Sequence, residues 1–215
     1  DYRNATTGKI EYMKGITLEL LDYDDDMMTT NDLVTIHKLA MQMEEITMLG
    51  YPWNKAYNLE YLRKSKVVFT DIEHVEDILF NIAVFENVSS LIVIDSQLYH
   101  YCNEAHNRLT DKYLPNYFEL QKKRITKLYE LQKRWDSLDE NAYSILASEY
   151  FRWLLSAVER SVNQGESTTD VRHFLAKEYN SLLYNRLRTH LRVSSKLMLL
   201  YKPMLQRDTK NTIRL

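Results

Sequence analysis

His100, Cys102 and His106 form the tightest grouping of metal-ligating side chains in this chain of 215 residues. On a helix, positions 102 and 106 share a face, whereas position 100 lies about 160° from 102, so only two ligands converge. Two ligands do not specify zinc. The grouping reads as a buried thiol beside surface imidazoles, and no metal site is expected. The run DYDDD, Asp22 to Asp26, copies the first acidic positions of a calcium loop. Met27 stands where that loop needs glycine and Leu33 where it needs the bidentate glutamate, which leaves a solvated acidic loop. Gly-rich phosphate loops, GxSxG elbows and CxxC pairs are absent from the sequence. The expectation is a chain with no catalytic residues and no cofactor, hence not an enzyme.

The remaining chemistry is electrostatic. Asn185 to Lys196, NRLRTHLRVSSK, is the most basic stretch, and Arg186, Arg188, Arg192 and Lys196 are its candidate interaction residues. If the stretch is helical, 188, 192 and 196 line one face while Leu187, Leu191 and Leu197 turn toward a core. With 16 tyrosines in the chain, such a stripe could hold nucleic acid or an acidic membrane surface; a solvated face is the favoured reading. Residues 1–111 carry 9 Lys+Arg against 19 Asp+Glu, a net of -10, and residues 112–215 carry 19 against 11, a net of +8. Opposite signs in the two halves favour self-association or an acidic partner for the C-terminal half.

These groups need elements to hold them. Only 4 glycines and 3 prolines punctuate the chain, which points to an all-α fold. Breaks at Gly50-Tyr-Pro52, Pro115, Gly165 and Pro203, with start signals at Thr29 to Asp32, Thr70 to Glu73 and Ser167 to Asp170, predict helices. They fall near 9–21, 31–49, 53–66, 71–110, 116–162 and 169–201. The longest, near 116–162, has an apolar stripe of Leu128, Leu131, Trp135, Leu138, Ala142, Ile145, Tyr150, Trp153 and Ala157. Run unbroken, it would be a strut of ~70 Å, with Trp135 and Trp153 largely buried. Ser137 to Glu140 is itself a capping box, able to start a new helix there. The division that follows is an N-terminal helical segment at 1–50, a first bundle unit at 51–138 and a second at 139–215 sharing the long helix.

Trp53 and Trp153 stand 100 residues apart, and each is followed by a segment opening Thr-Asp, TDIEHVEDILF at 70 and TDVRHFLAKEY at 169. With LQKRWDSL at 131–138 placed as the end of a third helix, the stretch from Trp53 to Tyr201 resembles tandem spectrin repeats. The resemblance implies an elongated bundle of three-helix units and a non-enzymatic scaffold, spacer or tether that binds another protein or complex, in a cytoskeletal setting. The alternative is a helical module whose basic C-terminal half contacts nucleic acid or an acidic membrane surface.

One cysteine, Cys102, favours a reducing compartment. No apolar run reaches membrane-spanning length and the first 20 residues lack a signal-peptide layout. An intracellular, cytoplasmic setting is expected, with the nucleus also compatible. A chain starting at Asp1 reads as an excised fragment. The Asn4 and Asn87 sequons read as chance matches.

Overall fold

The structure is a computed structural model that describes residues 2–4, 10–11, 27–72, 74–94, 96, 98–99, 101–103 and 114–214, the backbone alone for 2–4, 10–11 and 101–103. The chain is mostly helical, as expected, and divides into two compact units, Asp1–Lys112 and Tyr113–Leu215. The boundaries expected at 50 and 138 each fall inside one of these units. Among the described residues no helix is long and apolar enough to cross a membrane.

The first unit mixes helices with short strands: β1 (Tyr2–Asn4), β2 (Ile10–Glu11), β3 (Met27–Thr30), α1 (Leu33–Glu45), α2 (Leu59–Ser65), α3 (Glu76–Phe85), β4 (Leu91–Ile94) and β5 (Tyr101–Asn103). β1 pairs antiparallel with β2 and parallel with β5. β3 and β4 form an antiparallel ribbon in the register Met27 to Ile94 and Thr30 to Leu91. Its inner face sets Met28 against Leu39 of α1, with Leu91 and Val93 packed on them. The single helix expected over 71–110 is therefore wrong. Leu91-Ile-Val-Ile94 reads equally as a short helical turn or a strand, and its pairing with Met27–Thr30 decides it. Ile10 and Glu11 are strand where a helix was expected, and the rest of 9–21 lies outside the described residues.

Helix starts are better anticipated than helix lengths. Asp32 caps α1, its carboxylate accepting from the Thr35 amide at 2.8 Å. By contrast α3 begins at Glu76 without a side-chain cap, six residues beyond Thr70. The helix expected over 53–66 starts only at Leu59, capped by Asn58, which leaves Trp53 in a turn.

The second unit comprises α4 (Tyr117–Arg134), α5 (Glu140–Asn163), α6 (Thr168–Tyr179), α7 (Leu182–Leu187), α8 (Ser195–Leu205) and α9 (Thr209–Ile213). The expected strut is broken. Asp136 adopts a left-handed backbone, φ 53°; its amide bonds to the Lys133 carbonyl and the Ser137 amide to the Gln132 carbonyl at 2.9 Å. This pair of bonds stops α4 in a Schellman motif. Asp139 rather than Ser137 then caps α5, accepting from the Ala142 amide at 2.8 Å. The chain turns back on itself: Tyr117 meets Trp153, Phe118 meets Tyr150 and Tyr129 meets Tyr143, an antiparallel helical hairpin.

Of the expected stripe, Leu128, Leu131, Ala142, Ile145, Tyr150 and Ala157 are buried in this hairpin's interior, joined by Ile125, Leu146, Phe151 and Leu154, which lie outside that stripe. Trp135 and Trp153 are only half-buried. Trp135 sits at the exit of α4, whereas the Trp153 indole donates to Glu149 Oε2 at 2.9 Å with the Arg152 guanidinium 4.7 Å above its ring. Ser167 caps α6 as expected. The run expected over 169–201 is divided among α6, α7 and α8, and Pro203 lies within α8.

Candidate functional site

The Gly50 to Tyr57 loop and the first turns of α3 concentrate the polar groups of the first unit. Lys55 donates to the carbonyls of Met48 at 2.6 Å and Tyr51 at 2.7 Å and to Asn54 Oδ1 at 2.8 Å, so an oxygen meets each of its three donors. Burial pushes its pKa down to about 7, and three acceptors oppose that fall because each asks for an N–H. Asn81, fully buried on α3, ties the loop down: its amide donates to the Gly50 carbonyl at 3.2 Å, and its Oδ1 accepts from the Tyr57 hydroxyl at 2.6 Å. The rings of Tyr51, Trp53 and Tyr99 stack in series at 4.8 Å between neighbours, with Tyr51 and Tyr99 exposed.

His74, Glu76 and Asp77 lead into α3 beside this loop's tether. Five described non-glycine residues have a left-handed backbone. Thr47, Lys66, Asp136 and Arg207 follow helix ends, where that conformation closes the last turn. His74, φ 79°, precedes a helix and has no such reason. Its Nε2 is buried without a hydrogen-bond partner, as is Glu76 Oε2. Burial raises the Asp77 carboxyl above the usual range, and the adjacent Glu76 charge raises it further. Burial also lifts the Tyr57 phenol to about 12, with Asp77 contributing. A strained backbone, buried unpaired polar atoms and a carboxyl biased toward its protonated form are features that functional sites share. The residue pattern contained one clue, the density of ionisable groups between Asp71 and Asp77, which the expected helix interior obscured.

The second unit buries a different polar cluster. Glu178 of α6 has no exposed surface; both its oxygens lie 2.8 Å from Lys122 Nζ of α4, and Oε2 also accepts from the Tyr150 hydroxyl of α5 at 2.9 Å. Three helices are thereby pinned at one point. Burial, and then the Glu178 charge, pushes the Tyr150 phenol far up; burial lifts Tyr179 to about 12 and also raises Tyr184 and Tyr201. The sign follows from proton counting. Above pH ~10 unfolded tyrosines lose their protons while these four keep theirs, so the folded state binds more protons and stability falls as pH rises. Stability of the second unit should be constant through neutral pH and fall between about pH 10 and 12, which denaturant melts followed by helical circular dichroism would register.

The four sequence-predicted interaction residues do not form one helical stripe. Arg186 lies on α7, Arg188 caps its C-terminus, Arg192 lies in the connection after it, and Lys196 opens α8. The four-residue spacing fails because the helix ends at Leu187. All four are exposed, yet Arg186 donates to the Tyr129 hydroxyl, and Arg192 lies 3.9 Å from Glu140. Leu187 and Leu191 are buried as expected, but Leu197 is 43% exposed. Cys102 is in strand β5, and His100 and His106 lie outside the described residues, as does the acidic run at 22–26. Comparison of the chain with protein-family models, with curated proteins and with solved structures returned no match.

Proposed function

We propose that the chain is a protein-interaction module, a scaffold or tether segment that acts by holding another polypeptide. The observation that carries this reading is the outer face of the β3–β4 ribbon. Met27, Ile92 and Ile94 are 49%, 55% and 52% exposed, and the strand register places Met27 directly opposite Ile94. Apolar side chains aligned on one ribbon face are a surface that a packed layer would cover. The occupant is a second polypeptide, because a ribbon face is matched in shape by a helix or a second sheet. A spectrin-like spacer belongs to the same class of function; α4 and α5 supply antiparallel helices for it, but their turn interrupts the run that a tandem array needs. The test is the double substitution Ile92→Lys with Ile94→Lys. Both side chains are largely solvated, so stability should change by less than about 1 kcal/mol, while association with the partner is lost. A variant that unfolds would show that these residues belong to the unit's own core.

A second reading, a small-ligand or acid–base site at the start of α3, is favoured by the His74 backbone alone among the left-handed residues. A side chain kept in that conformation for function is kept at the expense of stability. Substitution His74→Gly removes the Cβ strain and the unpaired Nε2, against the larger unfolded-state entropy of glycine. The balance should stabilise the first unit by up to about 1 kcal/mol. A loss of stability would instead make the imidazole a packing element.

A further inference from the structure

Helix α8, Ser195–Leu205, buries Tyr201 and Met204 against its own unit. On the opposite side Leu199 is 70% exposed, and Leu200, on the flank one turn before Met204, is 42% exposed. The 3.6-residue period sets Lys196 one turn before these two leucines, and Lys202 three residues after Leu199. Lys196 and Lys202 are themselves exposed, and neither has an ion-pair partner among the described residues. The surroundings have the same sign: between 182 and 214 the sequence holds eight Lys+Arg and one acidic residue, Asp208.

We infer that α8 is a docking site for an anionic lipid surface. A bilayer interface satisfies both halves of this face together. Lysine ammonium groups reach anionic headgroups while Leu199 between them and Leu200 beside Lys196 leave water for the acyl boundary. A nucleic-acid backbone would engage the cations but gain little from exposed leucines, since its affinity rests on phosphate contacts. The helix lies along the surface and does not enter the bilayer: it spans 11 residues and contains two lysines. Mixed contact makes attachment weak and reversible, and dependent on both the charge and the leucines. This surface belongs to the second unit and the β3–β4 ribbon to the first, so either assignment stands or fails without the other.

The experiment is cosedimentation of the whole chain with phosphatidylcholine vesicles containing about 30% phosphatidylserine and with vesicles of phosphatidylcholine alone. The expected result is binding to the anionic vesicles only. It should weaken about tenfold or more in Lys196→Glu with Lys202→Glu, and comparably in Leu199→Ser with Leu200→Ser. These side chains are exposed, so helical circular dichroism should be unchanged, and sedimentation velocity should give the same oligomeric state for parent and variants. Absence of binding to the anionic vesicles would overturn the assignment. So would vesicle binding that the leucine pair does not affect, or that a short DNA duplex displaces at equal charge, since either indicates a general polyanion surface. A change of oligomeric state in the leucine variant would also overturn it, showing that a second copy of the chain covers this face.

Discussion

Replacing Lys122 by methionine should destabilise the second unit by about 3 to 5 kcal/mol, the cost of leaving a buried carboxylate without its counter-ion. Glu178 has no exposed surface, and Lys122, only 21% exposed at its side chain, lies 2.8 Å from both carboxylate oxygens. After the substitution the Tyr150 hydroxyl, at 2.9 Å, would be the remaining hydrogen-bond donor to Glu178 among the described residues. A phenol supplies a hydrogen bond but no charge. The carboxylate must then take up a proton or draw in water, and both routes cost folding free energy. Pairing Lys122→Met with Glu178→Leu should recover much of the loss, because the isolated charge is removed along with its partner. Urea denaturation of the parent, the single variants and the double variant measures the coupling directly. A single variant as stable as the parent would mean that Glu178 is neutral or hydrated in the folded chain.

Truncation of Phe151 to alanine is the second large effect, about 3 to 5 kcal/mol. The ring is fully buried on α5 and meets Tyr150 at 5.5 Å, Tyr184 at 5.8 Å and Tyr201 at 6.3 Å between centroids. These partners come from α5, α7 and α8, so the cavity would open where three elements converge. Removing the phenyl ring loses its transfer energy and the dispersion contacts of its neighbours, which cannot all move in. Trp153→Ala should cost less despite its larger ring, because the indole is only half-buried, although the change also removes the N–H donated to Glu149. The ordering of these two variants in denaturant melts would distinguish burial from ring size as the determinant.

That ordering illustrates how much of the fold was legible in the residues. Local signals were reliable where chemistry within a few residues decides the outcome. Asp32 and Ser167 cap their helices as expected because the cap needs only a nearby side-chain oxygen and an amide. The mostly helical character followed from sparse glycine and proline. What misled was continuity. Asp136 is not glycine, yet its left-handed backbone ends α4, and nothing in its type announces this as Gly165 announces the end of α5. Once α4 turned back, the apolar stripe that had suggested a strut became the interior of a hairpin. Similarly, Leu91 to Ile94 has the apolar content of a buried helix and the β-branching of a strand, and the pairing with Met27 to Thr30 settled it from more than 60 residues away. The polar cluster near His74 was illegible for a different reason. Backbone strain and an unpaired buried nitrogen arise only in the folded chain, and a histidine inside an expected helix gives no sign of either.

The central proposal is that the outer face of the β3–β4 ribbon is covered by a polypeptide, and site-specific photo-cross-linking is its most direct measurement. A benzophenone side chain placed at Ile92 points from that face, and one placed at Asn87, exposed in the turn after α3, is the control. In the producing cell, irradiation should yield one discrete cross-linked polypeptide from position 92 and none from position 87. Adding Ile94→Lys to the position-92 probe should abolish the product, because a lysine cannot be buried beside it without a partner charge. Equal cross-linking from both positions, or a position-92 product that survives Ile94→Lys, would contradict the account.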